Sequence, residues 1–255
     1  MKKVIFIVIM LLITLVSCGL SKDINEEEIG IHYFKNTKKL SFDKFEYSDR
    51  WKGLIIEDNY NINDYDLGYL KKLPKLEQLT ISQSNITEKG IKEIQNLKKL
   101  KILTINEAQL TDAGMKYIGQ LENLESLNIS QTKVTDEGLK YLQGLKKLNT
   151  LILDNTCITG EGFKYINTLS NLEDLVVAPN VKVENLKYLE GMELKLLNLA
   201  DNKDIDDRAI PYIKKLTTLE RLIIFDTKIS NEGIRELEKA LPNCAIWDKR
   251  INNDM

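Results

Sequence analysis

"KVTDEGLKYLQGLKKL", residues 133–148, is one copy of a pattern that the chain repeats at a regular interval. A closely similar stretch, "QLTDAGMKYIGQLENL", precedes it at positions 109–124, and "CITGEGFKYINTLSNL" follows it at positions 157–172. A catalytic site needs one constellation of side chains, whereas a surface built by stacking units needs many copies. The repetition therefore predicts a solenoid in which each unit contacts only its neighbours.

Each unit contains a pair of aliphatic residues one position apart, and this alternation predicts a half-buried strand. The pairs are Leu54/Ile56, Leu79/Ile81, Leu103/Ile105, Leu127/Ile129, Leu151/Leu153, Leu175/Val177, Leu197/Leu199 and Leu222/Ile224. Leucines then recur every three residues, as at Leu139, Leu142 and Leu145, which predicts a buried helical stripe. About eight units are expected over residues 51–240, between an N-terminal cap (31–50) and a C-terminal cap (241–255).

A hydroxyl residue and an acid precede the helix in most units, as in Thr135-Asp136. The hydroxyl can accept a hydrogen bond from a first-turn N–H, and the acid favours the positive end of the helix. A glycine then recurs at one fixed place, and its missing side chain would let neighbouring units pack closely. The recurring glycines are Gly90, Gly114, Gly138, Gly162 and Gly233.

This pattern, L-x-x-L-x-L-x-x-T-x-I-T-D-x-G-L-x-x-L-x-x-L, resembles the leucine-rich repeat family. It is most similar to bacterial members with units of this length, which resemble the cysteine-containing and ribonuclease-inhibitor-like subclasses. The resemblance spans residues 51–247 and implies an α/β solenoid, with a curved parallel sheet on the concave face and helices on the convex face. It departs at "APNVKVENLKYL" (178–189), which lacks the T-D-x-G turn, so irregular curvature is expected there.

The N-terminus carries two lysines followed by an apolar run from Val4 to Val16. A membrane-spanning helix needs roughly 20 apolar residues, so this shorter run predicts a secretory signal peptide. The run ends in Leu15-Val16-Ser17-Cys18, which resembles the lipobox of bacterial lipoproteins.

The lipobox resemblance implies a signal peptide over residues 1–17, a lipid on Cys18, and a polar tether over 18–30. The implied location is the bacterial cell envelope, at the outer membrane or cell surface if the bacterium has two membranes. The alternative is an ordinary secretory signal in which Cys18 has no role.

Charge and composition argue against several function classes. Without residues 1–17, which contribute two lysines, the chain has 34 basic and 38 acidic residues, and this net charge of −4 gives no reason to expect nucleic-acid binding. His32 is the single histidine, and no Cys-x-x-Cys motif is present, so neither a metal nor another cofactor is expected. Cys157 and Cys244 are expected to be small buried residues. The chain is not expected to be an enzyme.

The strand residues that alternate with the buried leucines should form the binding surface, and members of the resembled family commonly bind proteins or peptides there. The candidate contact residues are Gln78, Thr80, Thr104, Asn106, Asn128, Ser130, Ile152, Asp154, Asp174, Val176, Asn198, Arg221, Ile223 and Phe225. A monomer with a protein or peptide partner is the leading hypothesis. The alternatives are a glycan or host-matrix adhesion module and an envelope spacer without a ligand.

Two further points stay open from the sequence. Ile223 and Phe225 could face a partner, or they could lie beneath a C-terminal cap around Trp247. A tyrosine recurs in the helices, several times after a lysine, and it could form a docking stripe or pack between units beneath the lysine stems. The tyrosines are Tyr69, Tyr117, Tyr141, Tyr165, Tyr188 and Tyr212.

Overall fold

The computed structural model describes residues 31–35, 51–57 and 62–249. Ten parallel strands form one sheet and follow one another in chain order. They are β1 (Ile31–Lys35), β2 (Gly53–Glu57), β3 (Gln78–Ser82), β4 (Ile102–Asn106), β5 (Ser126–Asn128), β6 (Thr150–Ile152), β7 (Asp174–Val176), β8 (Leu196–Asn198), β9 (Arg221–Ile223) and β10 (Ala245–Trp247). The strands β1 and β10 fall in the segments predicted as caps, so the sheet is longer than the eight predicted units.

Short helices connect the strands. The α-helices are α1 (Asp64–Leu67), α2 (Glu88–Ile94), α3 (Asp112–Ile118), α4 (Phe163–Ile166), α5 (Ile210–Ile213) and α6 (Asn231–Ala240). The 3-10 helices are Gly68–Lys72, Asp136–Leu142, Val183–Leu189 and Asp207–Ala209. Leu139 and Leu142 lie in one of these 3-10 helices, whose period of three residues matches their spacing, while Ile91 and Ile94 have the same spacing in the α-helix α2.

One continuous hydrophobic core runs the length of the described solenoid, from Trp51 to Leu241. The paired strand residues lie inside it, and both Leu127 and Ile129 are fully buried. Because no unit can bury its own leucines, each is covered by the next. The predicted α/β solenoid with a parallel sheet is confirmed.

Hydrogen bonds between units explain the Thr-Asp pair in the repeat. The carboxylate of Asp112 accepts bonds from both the backbone N–H and the hydroxyl of Thr135, at 2.8 and 2.7 Å. Thr135 in turn accepts a bond from the N–H of Glu137 at 3.3 Å, the capping role that the sequence predicts. The sequence analysis missed the first contact, in which the acid of one unit holds the threonine of the next.

The recurring glycines allow these carboxylates to fit. A Cβ atom added at Gly138 would lie 2.6 Å from Oδ1 of Asp112 and 2.6 Å from Cγ1 of Val134. Real Cβ atoms do not approach other atoms so closely, and the interior of a solenoid leaves little room to relax. The predicted close packing of neighbouring units at the glycine position is confirmed.

The unit that departs from the repeat pattern, at residues 178–189, lacks a backbone feature that follows six other strands. Six non-glycine residues of the described chain have positive φ just after a strand: Gln83, Glu107, Gln131, Asn155, Asp201 and Asp226. Pro179 occupies the position that corresponds to Asn155 in the next unit, and its ring fixes φ at about −65°. Buried asparagines link the units here instead, because Asn185 donates to the carbonyl of Thr159 and Asn202 accepts from the N–H of Val181.

Candidate functional site

The strand face is the sheet surface that points away from the hydrophobic core. The pairing register aligns its central row, in which each residue lies beside its equivalent in the next strand. In order, the row is Ile55, Thr80, Thr104, Asn128, Ile152, Val176, Asn198, Ile223 and Trp247. Its N-terminal half is mostly polar, and its C-terminal half is mostly apolar.

The polar half satisfies many of its hydrogen bonds internally. The hydroxyl of Ser82 donates to Oδ1 of Asn106 at 2.5 Å, and both the hydroxyl and the N–H of Ser130 bond to Oδ1 of Asn128. Three predicted contact residues offer little surface to a ligand, since Gln78, Thr80 and Ser130 are only 6, 4 and 9% exposed. Thr104, Asn106 and Asn128 are half-buried.

The apolar half ends in an exposed tryptophan. Trp247 pairs with Ile223 across β9 and β10, so both side chains project from the strand face. The Trp247 side chain is 47% exposed, and Ile223 and Phe225 remain half-buried beside the same end of the sheet. Trp247 therefore extends the strand face instead of sealing it. The sequence assigned this residue to a cap, although its spacing from Ile223 matches the repeat and could have placed it in the row.

Charged groups border this apolar end on both sides. The guanidinium of Arg221 lies 4.0 Å from the carboxylate of Asp174, and both are predicted contact residues. On the other side, Lys249 forms an ion pair of 2.5 Å with Asp226. The hydrogen bond from Lys249 lowers the pKa of the Asp226 carboxyl below its usual value. Asp154, Val176, Ile152 and Asn198 lie between this end and the polar half and are each half-buried.

The tyrosine series belongs to the packing of the helices. All six tyrosines are partly buried and pack against the hydrophobic core. The ammonium groups of Lys140, Lys164 and Lys187 lie 5.3, 5.2 and 4.7 Å from the ring centroids of the tyrosines that follow them. These cation–π contacts recur from unit to unit and favour packing over a docking stripe.

The cysteine expectation is wrong for one residue. Cys157 is exposed, because it occupies the turn position held by Lys133 one unit earlier. Cys244 is partly buried, and burial raises the pKa of its thiol. Among the residues that the structure describes, no group of three or more His, Cys, Asp or Glu side chains could hold a metal ion.

The predicted N-terminal features lie mostly outside the described residues. These are the signal peptide, Cys18, the tether and residues 36–50 of the predicted cap. His32 lies in β1, where the structure describes the backbone. No helix within the described ranges has the length and apolar character of a membrane span.

Comparison with known proteins supports the architecture. A family model for the leucine-rich repeat matches residues 120–142 and 215–237. No functionally curated protein matches the chain in sequence.

Solved structures give a fuller match to the fold. An internalin (inlF) from Listeria monocytogenes is similar over 85% of this chain, with a TM-score of 0.59 and 21% identity. The chain spans 66% of that internalin, slightly less than two thirds of its length. An internalin C2 (inlC2) from the same species matches 79% of this chain and 82% of its own, with a TM-score of 0.58 and 20% identity. The chain has the leucine-rich repeat fold.

Proposed function

We propose that this protein is a membrane-anchored, extracytoplasmic interaction module that binds a protein or peptide through its strand face. The observation that carries the proposal is the apolar end of that face, formed by the exposed Trp247 and the half-buried Ile223 and Phe225. Single exposed apolar side chains are common on protein surfaces, but an adjacent group that includes a tryptophan is typical of binding sites.

The sheet is well suited to recognition because it is rigid before the ligand arrives. Continuous strand pairing and the core beneath it fix each side chain in place, so binding would cost little ordering of the protein. Arg221 and Asp174 border the apolar end and could select the ligand's orientation through charge. The candidate site is therefore centred on the C-terminal half of the strand face, with Ile152, Val176 and Asn198 leading toward it.

We further propose that a lipid on Cys18 holds the protein, as a monomer, in a bacterial cell envelope. The support is the apolar run and the Leu-Val-Ser-Cys sequence at residues 15–18. Each buried lipid methylene contributes about 0.8 kcal/mol to membrane binding. Mass spectrometry of the protein from its native envelope should show a chain that starts at Cys18 and carries acyl groups, and the Cys18→Ser variant should carry none.

A glycan ligand is the second candidate, and Trp247 favours it. Sugar rings stack on exposed aromatic faces, and the strand face presents Trp247 near the half-buried Phe225. A glycan site would depend strongly on these two aromatic side chains and little on Arg221. A protein ligand would contact a wider area, so its binding would weaken when either the aromatic side chains or Arg221 were replaced.

The decisive experiment compares ligand capture by matched variants of the full chain. Purified protein in detergent would be used as bait for envelope extracts and for a glycan array. The test variant is Val176→Arg/Ile223→Arg, and the control is Ile102→Arg/Thr104→Arg on β4, in the N-terminal half of the same face. All four positions are half-buried on the strand face, so folding can be matched by circular dichroism and urea unfolding.

Each outcome separates the hypotheses. A protein retained by the native chain and by the control, but lost by the test variant, would support the proposed site. A further variant, Trp247→Ala, tests the glycan function. If the native chain binds a glycan on the array and captures no protein, and Trp247→Ala no longer binds that glycan, the glycan function is supported. Retention that is equal in all variants would reject the strand face as the site, and the absence of any specific ligand would favour the spacer.

A further inference from the structure

An open pocket of about 520 Å³ lies on the helix side of the first two described units, away from the strand face. It is lined by Asp64, Tyr65, Gly68, Tyr69, Lys71, Lys72, Lys89 and Glu93. Two aromatic rings and three lysines thus lie on one surface with two carboxylates, and one of these, Asp64, already accepts hydrogen bonds from Thr87. The proposed ligand site at the other end of the array does not use any of these groups.

The aromatic part of this surface is unusually exposed. Tyr65 is 74% exposed, and its ring meets that of Tyr69 edge to face at a centroid distance of 5.7 Å. The hydroxyl of Tyr69 donates to that of Tyr65 at 3.4 Å, and the ammonium of Lys72 lies 5.5 Å from the Tyr69 ring centroid. Other tyrosines of the series pack against the core without such an exposed companion. Core packing alone does not explain Tyr65.

The basic part is equally distinctive. Residues 64–101, which include the whole pocket lining, contain eight lysines, three glutamates and two aspartates, and no arginine. Lys101 pairs with Glu77, but the exposed Lys71, Lys72 and Lys89 form no ion pair with any described residue. In later units, lysines are commonly paired with glutamates: Lys140 with Glu137, Lys164 with Glu161, Lys195 with Glu173, Lys214 with Glu236 and Lys215 with Glu190.

We propose that this surface, formed by Tyr65, Tyr69, Lys71, Lys72 and Lys89, docks onto an anionic phospholipid bilayer. Unpaired lysines attract anionic headgroups, and tyrosines favour the boundary between headgroups and hydrocarbon. Each lysine near such a surface strengthens membrane binding about fivefold.

Position along the chain also favours a bilayer as the partner, and this step rests on the proposed anchor. A tether over residues 18–30 can span at most roughly 47 Å when fully extended, and the first units follow it in the chain. This connection keeps the basic surface at high effective concentration near the membrane. One lipid chain alone gives reversible binding, whereas a chain together with a basic patch gives stable anchoring. Docking through the helix side would also leave the strand face turned away from the bilayer.

The proposal can be tested by measuring how fast a chemical reagent acetylates each lysine of the vesicle-bound protein. The protein would be expressed in a bacterium that lipidates such signals and reconstituted into vesicles of phosphatidylcholine, with or without about 30% phosphatidylglycerol (on the order of natural anionic content). Mass spectrometry would then give the acetylation rate of each lysine. Lys71, Lys72 and Lys89 should react at least about fivefold more slowly on the anionic vesicles, whereas the exposed Lys146 and Lys147 should react equally on both. The protection should weaken in high salt.

A charge-reversed variant provides the internal check. In Lys71→Glu/Lys72→Glu, the remaining Lys89 should no longer be protected from acetylation by the anionic vesicles. In the control Lys146→Glu/Lys147→Glu, Lys89 should remain protected. In the chain without substitutions, equal acetylation of Lys89 on both kinds of vesicle would overturn the docking proposal. Equal protection of Lys89 by soluble polyphosphate without vesicles would also overturn it, because that result would indicate a polyanion site.

Flotation of the vesicles separates this result from the anchor. Protein that floats with unprotected lysines would reject docking and leave the anchor intact. Protein that fails to float with phosphatidylcholine vesicles would reject the anchor.

Discussion

The strongest test of the fold's inter-unit contacts is the replacement of Asp136 by alanine. The carboxylate of Asp136 accepts hydrogen bonds from the hydroxyl of Thr159 at 2.7 Å, from its N–H at 3.2 Å, and from the N–H of Gly162 at 2.8 Å. The side chain is half-buried, so water can replace part of what is lost. At about 1 kcal/mol for each of three donors, the variant should lose about 3 kcal/mol of unfolding free energy.

The chain supplies its own control for this prediction. Glu88 holds the position that matches Asp136 two units earlier. Glu88 would have to reach Thr111, but the two residues share no hydrogen bond within the described chain, and the side chain of Thr111 makes no capping bond to the helix that follows it. The Glu88→Ala variant should therefore change the unfolding free energy by less than about 0.5 kcal/mol, as is usual for surface substitutions.

Urea unfolding of the full chain, followed by circular dichroism, would measure both variants. For a chain of this size, a loss of about 3 kcal/mol should also lower Tm by roughly 6–12 °C. Amide hydrogen exchange should speed up at Thr159 and Gly162 in particular, because their N–H groups lose an acceptor. If Asp136→Ala proves no more destabilising than Glu88→Ala, the carboxylate does not hold the units together, and the account of the Thr-Asp pair is wrong.

The other predictions address packing, backbone and charge. Gly138→Ala should destabilise the protein by about 1–3 kcal/mol in urea unfolding because its Cβ would overlap neighbouring atoms, whereas Gly144→Ala, with nothing within 4 Å, should be neutral or stabilising. Gln131 has φ of 55°, so Gln131→Val should cost about 1–2 kcal/mol and Gln131→Gly should cost nothing by the same assay; equal losses would contradict the backbone argument. A hydrogen bond from Arg208 lowers the pKa of Asp206, so this pair stabilises the folded state above the ordinary aspartate pKa and stops doing so as the pH falls through the lowered value. NMR titration should show the Asp206 pKa rising toward its ordinary value in Arg208→Ala, and an unchanged pKa would exclude the pair as the cause.

The sequence predicted the elements of each unit because their signals are local. Leu127 and Ile129 alternate over three residues, and Leu139 and Leu142 mark the next helical turn, so periodicity alone identifies strand and helix. The recurrence of Gly138 and its equivalents likewise indicated a close approach between units. The sequence reasoning did not identify the atom that approaches, because Asp112 belongs to the preceding unit and its distance depends on how units stack.

Exposure was harder to predict than secondary structure. The sequence treated Thr80 and Thr104 alike, since both alternate with buried leucines, but Thr80 is 4% exposed and Thr104 is half-buried. Cys157 was expected to be buried because cysteine usually is, yet its place in the turn exposes it. Residue type is a weak guide to exposure, because neighbouring side chains from other units decide how much surface remains.

By itself, the sequence determined that this protein is a stack of strand–helix units with a leucine core, because a hydrophobic period is written in consecutive residues. Tertiary structure decided which side chains meet across units. It placed Trp247 beside Ile223 on the strand face, Asp136 against Thr159, and Lys89 beside Tyr65 and Lys72 on the opposite side. These contacts join residues from separate units, and their distances follow from the stacking of the whole array, which no single stretch of sequence contains.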